Sequence, residues 1–248
     1  MKGLVILPTF NEAGTIAEVI DRVLASTPDV DVLVVDDASP DGTGEIADRI
    51  AAGESRVGVL HRPAKGGLGP AYLAGFRHGL ARGYDAFIEM DSDLSHDPAD
   101  VARLLAGAAD ADLVIGSRYV PGGATVNWSP FRKRLSRAGT RYAKTMLGLP
   151  LSDATSGFRC YRRALLEALP LEEIRSEGYA FQIELAWRTW TMGFRLQELP
   201  IVFTERREGA SKMSRAIVVE ALWRVTIWAA RRKRPPNVPH PASIRSRP

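Results

Sequence analysis

Cysteine and long apolar segments are what this sequence has least of. Cys160 is the only cysteine, so an intrachain disulfide is excluded and a reducing compartment is expected. No stretch reaches the roughly 18 consecutive apolar residues that a transmembrane helix needs, so we expect no such helix. The apolar run at residues 3–7 is too short for a signal peptide and instead predicts a first strand.

Two common nucleotide-binding motifs are missing as well. The sequence has neither a Gly-x-Gly-x-x-Gly fingerprint nor a Walker A loop, which leaves the usual NAD and ATP motifs unrepresented. The glycine-rich segment Lys65-Gly-Gly-Leu-Gly69 is by itself equally compatible with a tight turn. The net charge is +4, but the cations are interspersed with acids and no stacking motif is present, so we expect no nucleic-acid partner.

The apolar segments that are present alternate between strand-like and helix-like patterns. With 248 residues and 45% hydrophobic composition, the chain can bury a full core. Strands are predicted at residues 3–7, 32–35, 57–60, 86–90, 112–116 and 196–203. Helices lie between the first five of them, and this α/β pattern predicts a mainly parallel sheet with helices on both faces.

Polar residues at two of the predicted helices indicate local structure. Thr15 and Glu18 have the spacing of a capping box at the start of the first helix. Gln182 and Glu184 lie among apolar residues of a helix predicted at residues 178–192. A structural role and a chemical role are both open for this second pair.

The C-terminal part of the chain changes character. We divide the chain into a domain at residues 1–213, an amphipathic helix at 214–234 and a proline-rich, disordered tail at 235–248. Val225 and Trp228 belong to an apolar face of this helix. That face either packs on the domain or another subunit, or lies on a membrane surface, where Trp223 and Trp228 would suit the interface.

Polar side chains follow four of the predicted strands, at Glu12, Asp37, the pair Asp91 and Asp93, and Arg118. In parallel sheets, ligands bind beyond the carboxyl ends of the strands. Asp91 and Asp93 are two residues apart, so in an extended segment they point the same way and repel each other unless a cation lies between them. Carboxylate oxygens suit Mg²⁺ or Mn²⁺, which commonly bind together with substrate phosphates. The sequence therefore predicts a metal and phosphate site.

Several further motifs occur in a fixed order along the chain. They are Pro8-Thr-Phe-Asn-Glu12, Val35-Asp-Asp-Ala-Ser-Pro-Asp-Gly-Thr43, Lys65-Gly-Gly-Leu-Gly69, Asp91-Ser-Asp-Leu-Ser-His96, Gly116-Ser-Arg-Tyr119, Asn127-Trp128, Arg132 with Ser136, Thr155-Ser-Gly-Phe158, and Arg206 with Gly209-x-Ser-Lys212. Together they resemble the GT-A glycosyltransferases of family 2, and most closely the dolichol- or polyprenol-phosphate mannose synthases. The resemblance extends over residues 4–212.

This resemblance implies a Rossmann-like GT-A fold and an inverting mannosyltransferase. The implied substrates are GDP-mannose and a polyprenyl (dolichyl-type) monophosphate, and the implied cofactor is Mg²⁺ or Mn²⁺. The product would be polyprenyl phosphate β-mannose, a lipid-linked sugar donor. The implied location is the cytoplasm, peripheral on the cytoplasmic face of the membrane. Many relatives carry transmembrane helices after the catalytic domain, so the expected lack of them here leaves room for a separate membrane-protein partner.

The resemblance also assigns roles to single residues. It places Pro8, Phe10, Glu12, Val35 and Asp37 at the guanosine, and Asp91, Ser92 and Asp93 at the metal and diphosphate. It has Arg206 and Lys212 closing over the diphosphate, and Arg118, Arg132 and Ser136 gripping the acceptor phosphate. The catalytic set is then Asp93, Arg118, Arg206 and Lys212.

Two positions depart from the family pattern, and two other functions stay open. Phe10 replaces the commoner Tyr, which removes a hydroxyl contact to the ribose. Ser95 replaces a metal-binding Gln, which leaves the third metal position open between Ser95 and water. The nearest alternative function is a family-2 transferase that uses a UDP-sugar such as UDP-glucose. A catalytically silent nucleotide-binding scaffold is the other. Four intact site residues speak against it, namely Asp91, Asp93, Arg206 and Lys212.

Overall fold

A computed structural model describes the backbone of residues 1–205 and 215–231, and the side chains of residues 1–205 and 219–230. The strands are β1 (Gly3–Thr9), β2 (Val30–Asp36), β3 (Val57–His61), β4 (Ala86–Glu89), β5 (Leu113–Ser117), β6 (Ala124–Val126), β7 (Arg159–Arg162), β8 (Leu196–Pro200) and β9 (Val202–Thr204). The helices are α1 (Ile16–Ser26), α2 (Thr43–Gly53), α3 (Leu68–Ala81), α4 (Asp100–Gly107), α5 (Pro130–Leu147), α6 (Arg163–Ala168), α7 (Gly178–Thr191) and α8 (Arg215–Arg231).

The described strands form a seven-stranded sheet in the order β3-β2-β1-β4-β7-β5-β8 and a small sheet of β6 and β9. All pairs are parallel except those of β7, which runs antiparallel between β4 and β5. The predicted mainly parallel sheet is therefore confirmed. The strand β7 was not predicted, and the single strand predicted at residues 196–203 is wrong, because the chain passes from one sheet to the other at Ile201.

Apolar side chains pack on both faces of the large sheet. On one face lie buried residues of α1, α2 and α4, and on the other lie buried residues of α3, α6 and α7. The spacing of five residues predicts an apolar stripe on α1, and four of them are completely buried while Leu24 is partly buried: Ile16, Val19, Ile20, Val23 and Leu24. The predicted capping box is wrong, because the Thr15 hydroxyl donates instead to the carbonyl oxygen of Ser92 at 2.8 Å. This bond ties the start of α1 to the acidic loop after β4.

The helix α8 packs against α5 and α7. Val225 is buried between these helices, and the ring of Trp228 stacks on Trp187 at a centroid distance of 5.8 Å. The hydroxyl groups of Tyr142 and Thr226 are hydrogen-bonded at 2.7 Å. One apolar face of α8 thus packs on the domain. In the part of the chain that the structure describes, no helix combines the length and apolar character needed to cross a bilayer. The predicted disordered tail lies outside the described residues.

Candidate functional site

The carboxyl ends of β2, β1 and β4 are neighbours in the sheet, so the loops that follow them meet at one edge. Asn11, Ala38 and Leu94 lie in these three loops, and each has a positive backbone φ, of 61°, 54° and 61°. Such values are uncommon for residues other than glycine and are concentrated at ligand-binding sites. Three of the four described non-glycine residues with positive φ therefore lie at the edge that the polar side chains indicated, and the fourth, Asn127, lies between β6 and α5.

The loops after β1 and β2 are joined by hydrogen bonds. The Thr9 hydroxyl donates to Asp36 Oδ1 at 3.0 Å, and the backbone N–H of Asp37 donates to the carbonyl oxygen of Thr9 at 3.1 Å. The backbone N–H of Glu12 donates to the Thr43 hydroxyl at 2.9 Å, at the start of α2. Val35, one of the predicted donor-binding residues, is completely buried in β2. These bonds fix the positions of the predicted guanosine-binding segments relative to each other.

Asp37 holds the loop between β3 and α3. Its Oδ1 accepts from the guanidinium of Arg62 at 2.5 Å, and its Oδ2 accepts from the backbone N–H of Gly66 at 2.8 Å. In the same loop the ammonium of Lys65 lies 4.0 Å from the centre of the Phe10 ring. The glycine-rich segment is thus part of the site rather than a remote turn. Sequence reasoning did not include Lys65 among the site residues, although its motif was noted.

The acidic loop is anchored on both sides. The Ser92 hydroxyl donates to the carbonyl oxygen of Pro8 at 3.0 Å, which joins this loop to β1. Asp93 is buried, and its Oδ1 accepts from the backbone N–H of Ser95 at 3.1 Å, whereas the side chain of Asp91 is 34% exposed. The carboxylate of Asp93 is therefore buried, and that of Asp91 is partly accessible to solvent.

His96 lies directly behind this loop. Its ring is buried and stacks on Phe158, and its Nδ1 accepts from the backbone N–H of Asp91 at 3.3 Å. Burial lowers the pKa of His96 to about 4, although the carboxylate of Asp93 acts in the opposite direction. At neutral pH the ring is uncharged, and it supports the loop without neutralising the two acids.

The residues present fit a divalent ion. No group of three or more His, Cys, Asp and Glu side chains able to hold a metal occurs among the described residues. Asp91 and Asp93 alone would leave most positions of Mg²⁺ or Mn²⁺ to substrate oxygens and water, as is usual for ions bound with phosphates. The Ser95 hydroxyl oxygen is buried and has no hydrogen-bond partner in the described structure, so it is a candidate third oxygen close to Asp93.

A second buried group lies two residues before Asp91. Glu89 is completely buried in β4 opposite Arg159 of β7, whose guanidinium donates to backbone carbonyl oxygens, including that of Gln182 at 2.7 Å. Burial raises the pKa of Glu89 to about 7, and nearby Arg159, Gln182 and Tyr161 reduce the rise only in part. In the described structure, no group completes a well-directed hydrogen bond to its carboxylate. Sequence reasoning missed Glu89 because it reads as part of an ordinary buried strand.

The two polar residues predicted on α7 differ in their surroundings. Glu184 accepts from the Ser176 hydroxyl at 2.5 Å and from Arg188 Nε at 2.9 Å, which is a satisfied structural arrangement. The side-chain amide of Gln182 is buried beside the carboxylate of Glu89 and acts to lower the pKa of that carboxyl.

The first predicted acceptor residue, Arg118, directly follows β5. Arg118 is buried, and its Nε and Nη2 donate to both carboxylate oxygens of Asp153 at 2.6 and 2.7 Å. Its Nη2 also donates to the Thr155 hydroxyl at 3.0 Å. Arg118 therefore has most of its donors engaged within the protein, and Asp153 is a partner that sequence reasoning missed. Contact of Arg118 with a phosphate stays a prediction.

Arg132 and Ser136 are one turn apart on α5 and line the same cavity. The guanidinium of Arg132 lies 4.1 Å from the centre of a Trp128 ring, and its Nη1 donates to Glu205 at 2.6 Å. Its Nε is buried with no hydrogen-bond partner among described residues. The structure thus brings together the two predicted phosphate-binding residues of α5. The predicted Arg206 and Lys212 lie outside the described residues.

Comparison with known proteins gives the family of the chain. Residues 4–169 match the model of glycosyl transferase family 2. The chain is 53% identical to the undecaprenyl-phosphate mannosyltransferase of Micrococcus luteus, over 92% of this chain and 94% of that protein. It is 50% identical to the polyprenol monophosphomannose synthase of Mycolicibacterium smegmatis, over 92% of this chain and 87% of that protein.

Solved structures give the fold. Glucosyl-3-phosphoglycerate synthase from Mycobacterium tuberculosis, in complex with phosphoglyceric acid, superimposes with a TM-score of 0.68 at 23% identity, over 90% of this chain and 80% of that one. The complex of that synthase with Mn²⁺, UDP-glucose and phosphoglyceric acid gives a TM-score of 0.67 at 24% identity, over 90% and 79% of the two chains. The expected GT-A fold is confirmed. The chain belongs to glycosyl transferase family 2 and is a glycosyltransferase.

Proposed function

We propose that this enzyme transfers mannose from GDP-mannose to a polyprenyl monophosphate and produces polyprenyl phosphate β-mannose. The observation that carries the proposal is the identity of 50% or more, over 92% of the chain, to two proteins named for polyprenyl-phosphate mannose transfer. The solved structures that superimpose on this chain are less than 25% identical to it, so they support the fold alone. The UDP-glucose bound in one of them does not identify the donor of this chain.

The donor half of the site would be the edge formed by the loops after β1, β2 and β4. Phe10, Glu12 and Asp37 lie in the first two of these loops, and Asp91 and Asp93 lie in the third. A divalent ion held there would neutralise the diphosphate as it leaves. The Mn²⁺ named in the solved glucosyl-3-phosphoglycerate synthase complexes is consistent with this role.

The acceptor half would be formed around Arg132 and Ser136. An acceptor phosphate is an anion at neutral pH, so one of its oxygens can attack the anomeric carbon without a general base. The new bond forms as the bond from that carbon to the diphosphate oxygen of GDP breaks, and a single displacement inverts the configuration to β. Arg132 would hold the nucleophile in position and offset the repulsion between the two phosphates, with Arg118 nearby.

A lipid acceptor requires the enzyme to work at a membrane. The helix α8 exposes Val219, Leu222 and Trp223, with 64%, 41% and 65% of these residues accessible. Exposed apolar side chains grouped in this way are typical of contact surfaces. We therefore propose that the enzyme binds a membrane surface as a peripheral protein. The proposed face is the cytoplasmic one, as the family resemblance implies, and a separate membrane protein as partner is part of the same proposal.

Transfer of radiolabelled mannose from GDP-mannose to a short polyprenyl phosphate tests the function, with UDP-glucose as the competing donor. We expect a chloroform-soluble product from GDP-mannose that is lost when EDTA is added and restored by Mg²⁺ or Mn²⁺. The anomeric configuration of the product is read by proton NMR. Transfer from UDP-glucose alone would replace the mannose proposal with the UDP-sugar alternative, and an α-linked product would overturn the single displacement.

A further inference from the structure

The small sheet of β6 and β9 brings Glu205 to the first turn of α5. β9 pairs in parallel with β6, and the backbone N–H of Glu205 continues this pairing by donating to the carbonyl oxygen of Val126 at 3.1 Å. Val126 ends β6, and α5 begins shortly after it with Arg132 as its third residue. The Nη1 of Arg132 donates to Glu205 Oε1 at 2.6 Å. The end of β9 thus supplies the counter-ion of an arginine that lies 73 positions earlier in the chain.

Aromatic rings support Arg132 in the position of this ion pair. The guanidinium lies 4.1 Å from the centre of a Trp128 ring, and Trp128 packs edge-on against Phe203 at a centroid distance of 5.3 Å. Phe203 is two residues before Glu205, and alternate residues of an extended segment point to the same side. One side of this segment therefore carries both the ring that supports Trp128 and the carboxylate that pairs with Arg132.

This ion pair leaves Arg132 without an open pair of donors. A guanidinium binds a phosphate most strongly through two parallel N–H groups, either Nε with Nη2 or Nη1 with Nη2. In Arg132 the Nε is buried, and Nη1 is occupied by Glu205. Each of the two pairs therefore has one nitrogen that is not available. A phosphate that takes two hydrogen bonds from Arg132 must displace the carboxylate of Glu205, whose negative charge also repels it.

The carboxylate of Glu205 has room to move away from Arg132. Glu205 lines a polar cavity of about 470 Å³, whereas Arg132 lines a different cavity, which lies between α5, α7 and α8. The ion pair therefore lies at the boundary between two cavities. The side chain of Glu205 is 39% exposed, and its own cavity is also lined by Arg22 and Arg103. A displaced carboxylate would thus be hydrated and would lie nearer to two other cations.

We infer that Glu205 is an internal counter-ion that determines which phosphates Arg132 binds. Its carboxylate occupies a donor that a phosphate needs, so inorganic phosphate gains only the exchange of one anion for another. A polyprenyl phosphate has an attached hydrocarbon chain, and the apolar contacts of that chain add binding free energy that inorganic phosphate lacks. Glu205 thus favours a lipid phosphate over small free phosphates. The inference rests on the proposed function, in which Arg132 holds the acceptor phosphate, and adds a residue that sets the specificity of this position.

Binding of inorganic phosphate, measured by calorimetry, tests this role. Glu205→Gln keeps the size of the side chain and removes its charge, so we expect it to bind phosphate about tenfold or more tightly than the wild type. Glu205→Ala should show at least the same gain, and the double variant Glu205→Gln/Arg132→Ala should lose it. Glu167→Gln removes the same charge from an ion pair on α6, where Arg163 Nε lies 2.7 Å from Glu167 Oε1, and should bind phosphate as the wild type does.

Phosphate binding that is unchanged or weaker in both Glu205 variants overturns the inference, because weaker binding would mean that the carboxylate holds Arg132 in its binding position. An equal gain in the Glu205→Gln variant and in the double variant overturns it as well, because the effect would then not depend on Arg132. Thermal melting checks that each variant is folded.

Inhibition of mannose transfer measures the selection itself. Inorganic phosphate should compete with a short polyprenyl phosphate at about tenfold lower concentration in Glu205→Gln than in the wild type, and KM for GDP-mannose should change less than about twofold. The proposed function fails separately. If the wild type transfers no mannose, the binding series still decides whether Glu205 screens Arg132. Mannose transfer by the wild type, together with equal phosphate affinities of the wild type and the Glu205 variants, supports the function and rejects the counter-ion role.

Discussion

Asp91 and Asp93 occupy different environments although they are two residues apart. Asp93 is buried and bonded to the backbone N–H of Ser95, whereas Asp91 is partly exposed. We predict that Asp93→Ala lowers kcat/KM for mannose transfer by about 100-fold or more, as is typical when a group that stabilises developing charge is removed. Asp93→Asn keeps an oxygen for the Ser95 bond and removes the charge, so it should be similarly impaired. Near-normal turnover of Asp93→Asn with Mg²⁺ or Mn²⁺ would contradict a metal role.

Arg132 is predicted to recognise the acceptor and not the donor. Arg132→Ala should raise KM for polyprenyl phosphate by about tenfold or more, because a charge-assisted hydrogen bond contributes about 1.5–3 kcal/mol. KM for GDP-mannose should change little. Arg134→Ala removes an exposed cation two residues away and serves as the control. Lys212 belongs to the pair that is predicted to close over the donor. Lys212→Ala should therefore raise KM for GDP-mannose and change KM for polyprenyl phosphate little. Equal changes of both KM values in the Arg132→Ala and Lys212→Ala variants would contradict the division of roles.

Some residue contacts of the site could be predicted from the sequence and others could not. The pairing of the acidic loop with the ends of β1 and β2 could be predicted, since parallel strands bring their carboxyl ends to one edge. The pair of Arg118 and Asp153 could not, because the two residues are 35 positions apart in the chain and no pattern links them. The same applies to Lys65 and Phe10, which meet only after two loops fold over each other.

At the scale of elements, strands with apolar runs were predictable and β7 was not. β7 has only four residues, Arg159–Arg162, and two of them are arginines. Arg159 is nevertheless completely buried, because its guanidinium donates to the carbonyl oxygens of Ala154, Ser156 and Gln182. Tertiary hydrogen bonds of this kind override the rule that charged residues mark the surface.

The two faces of α8 can be separated with two tryptophans of the same helix. Trp228 stacks on Trp187, whereas Trp223 is 65% exposed. We predict that Trp228→Ala lowers the free energy of unfolding by about 2 kcal/mol or more, through loss of aromatic packing. Trp223→Ala should leave it within about 0.5 kcal/mol, as is usual for surface substitutions. Urea denaturation measures both.

The same pair tests the membrane surface. Trp223→Ala should reduce flotation with anionic lipid vesicles, because an exposed aromatic ring inserts favourably at the bilayer interface. Trp228→Ala, assayed below its melting temperature, should float as the wild type does. Flotation that is unaffected by Trp223→Ala would place the membrane contact on another part of the chain.

At the scale of the whole molecule, two buried groups make the free energy of unfolding change with pH in opposite directions. The pKa of Glu89 is raised from 4.5 to about 7, so the folded protein retains a proton that the unfolded chain releases, and stability falls as pH rises between these values. The pKa of His96 is lowered from 6.5 to about 4, so stability falls as pH decreases through that range. The two slopes offset each other between roughly pH 4.5 and 6.5.

The substitution Glu89→Gln should separate the contributions of Glu89 and His96 to the pH dependence of stability. The variant loses the Glu89 contribution, so its stability should rise more steeply with pH than that of the wild type between about pH 4.5 and 7. The difference between the two proteins should change by on the order of 3 kcal/mol over that range. Urea denaturation at a series of pH values measures it, and two curves that stay parallel would show that Glu89 ionises normally in the folded state.

The lone cysteine has a practical consequence for all of these measurements. Cys160 is completely buried in β7, and burial raises the pKa of its thiol to about 12, so at neutral pH it is neither accessible nor ionised enough to react with alkylating reagents. The natural protein should therefore not be labelled by thiol reagents at neutral pH. A cysteine introduced at position 223 or 53 would be the only reactive one, and a spin label or fluorophore there could report the distance of α8 from a bilayer without any further change to the chain.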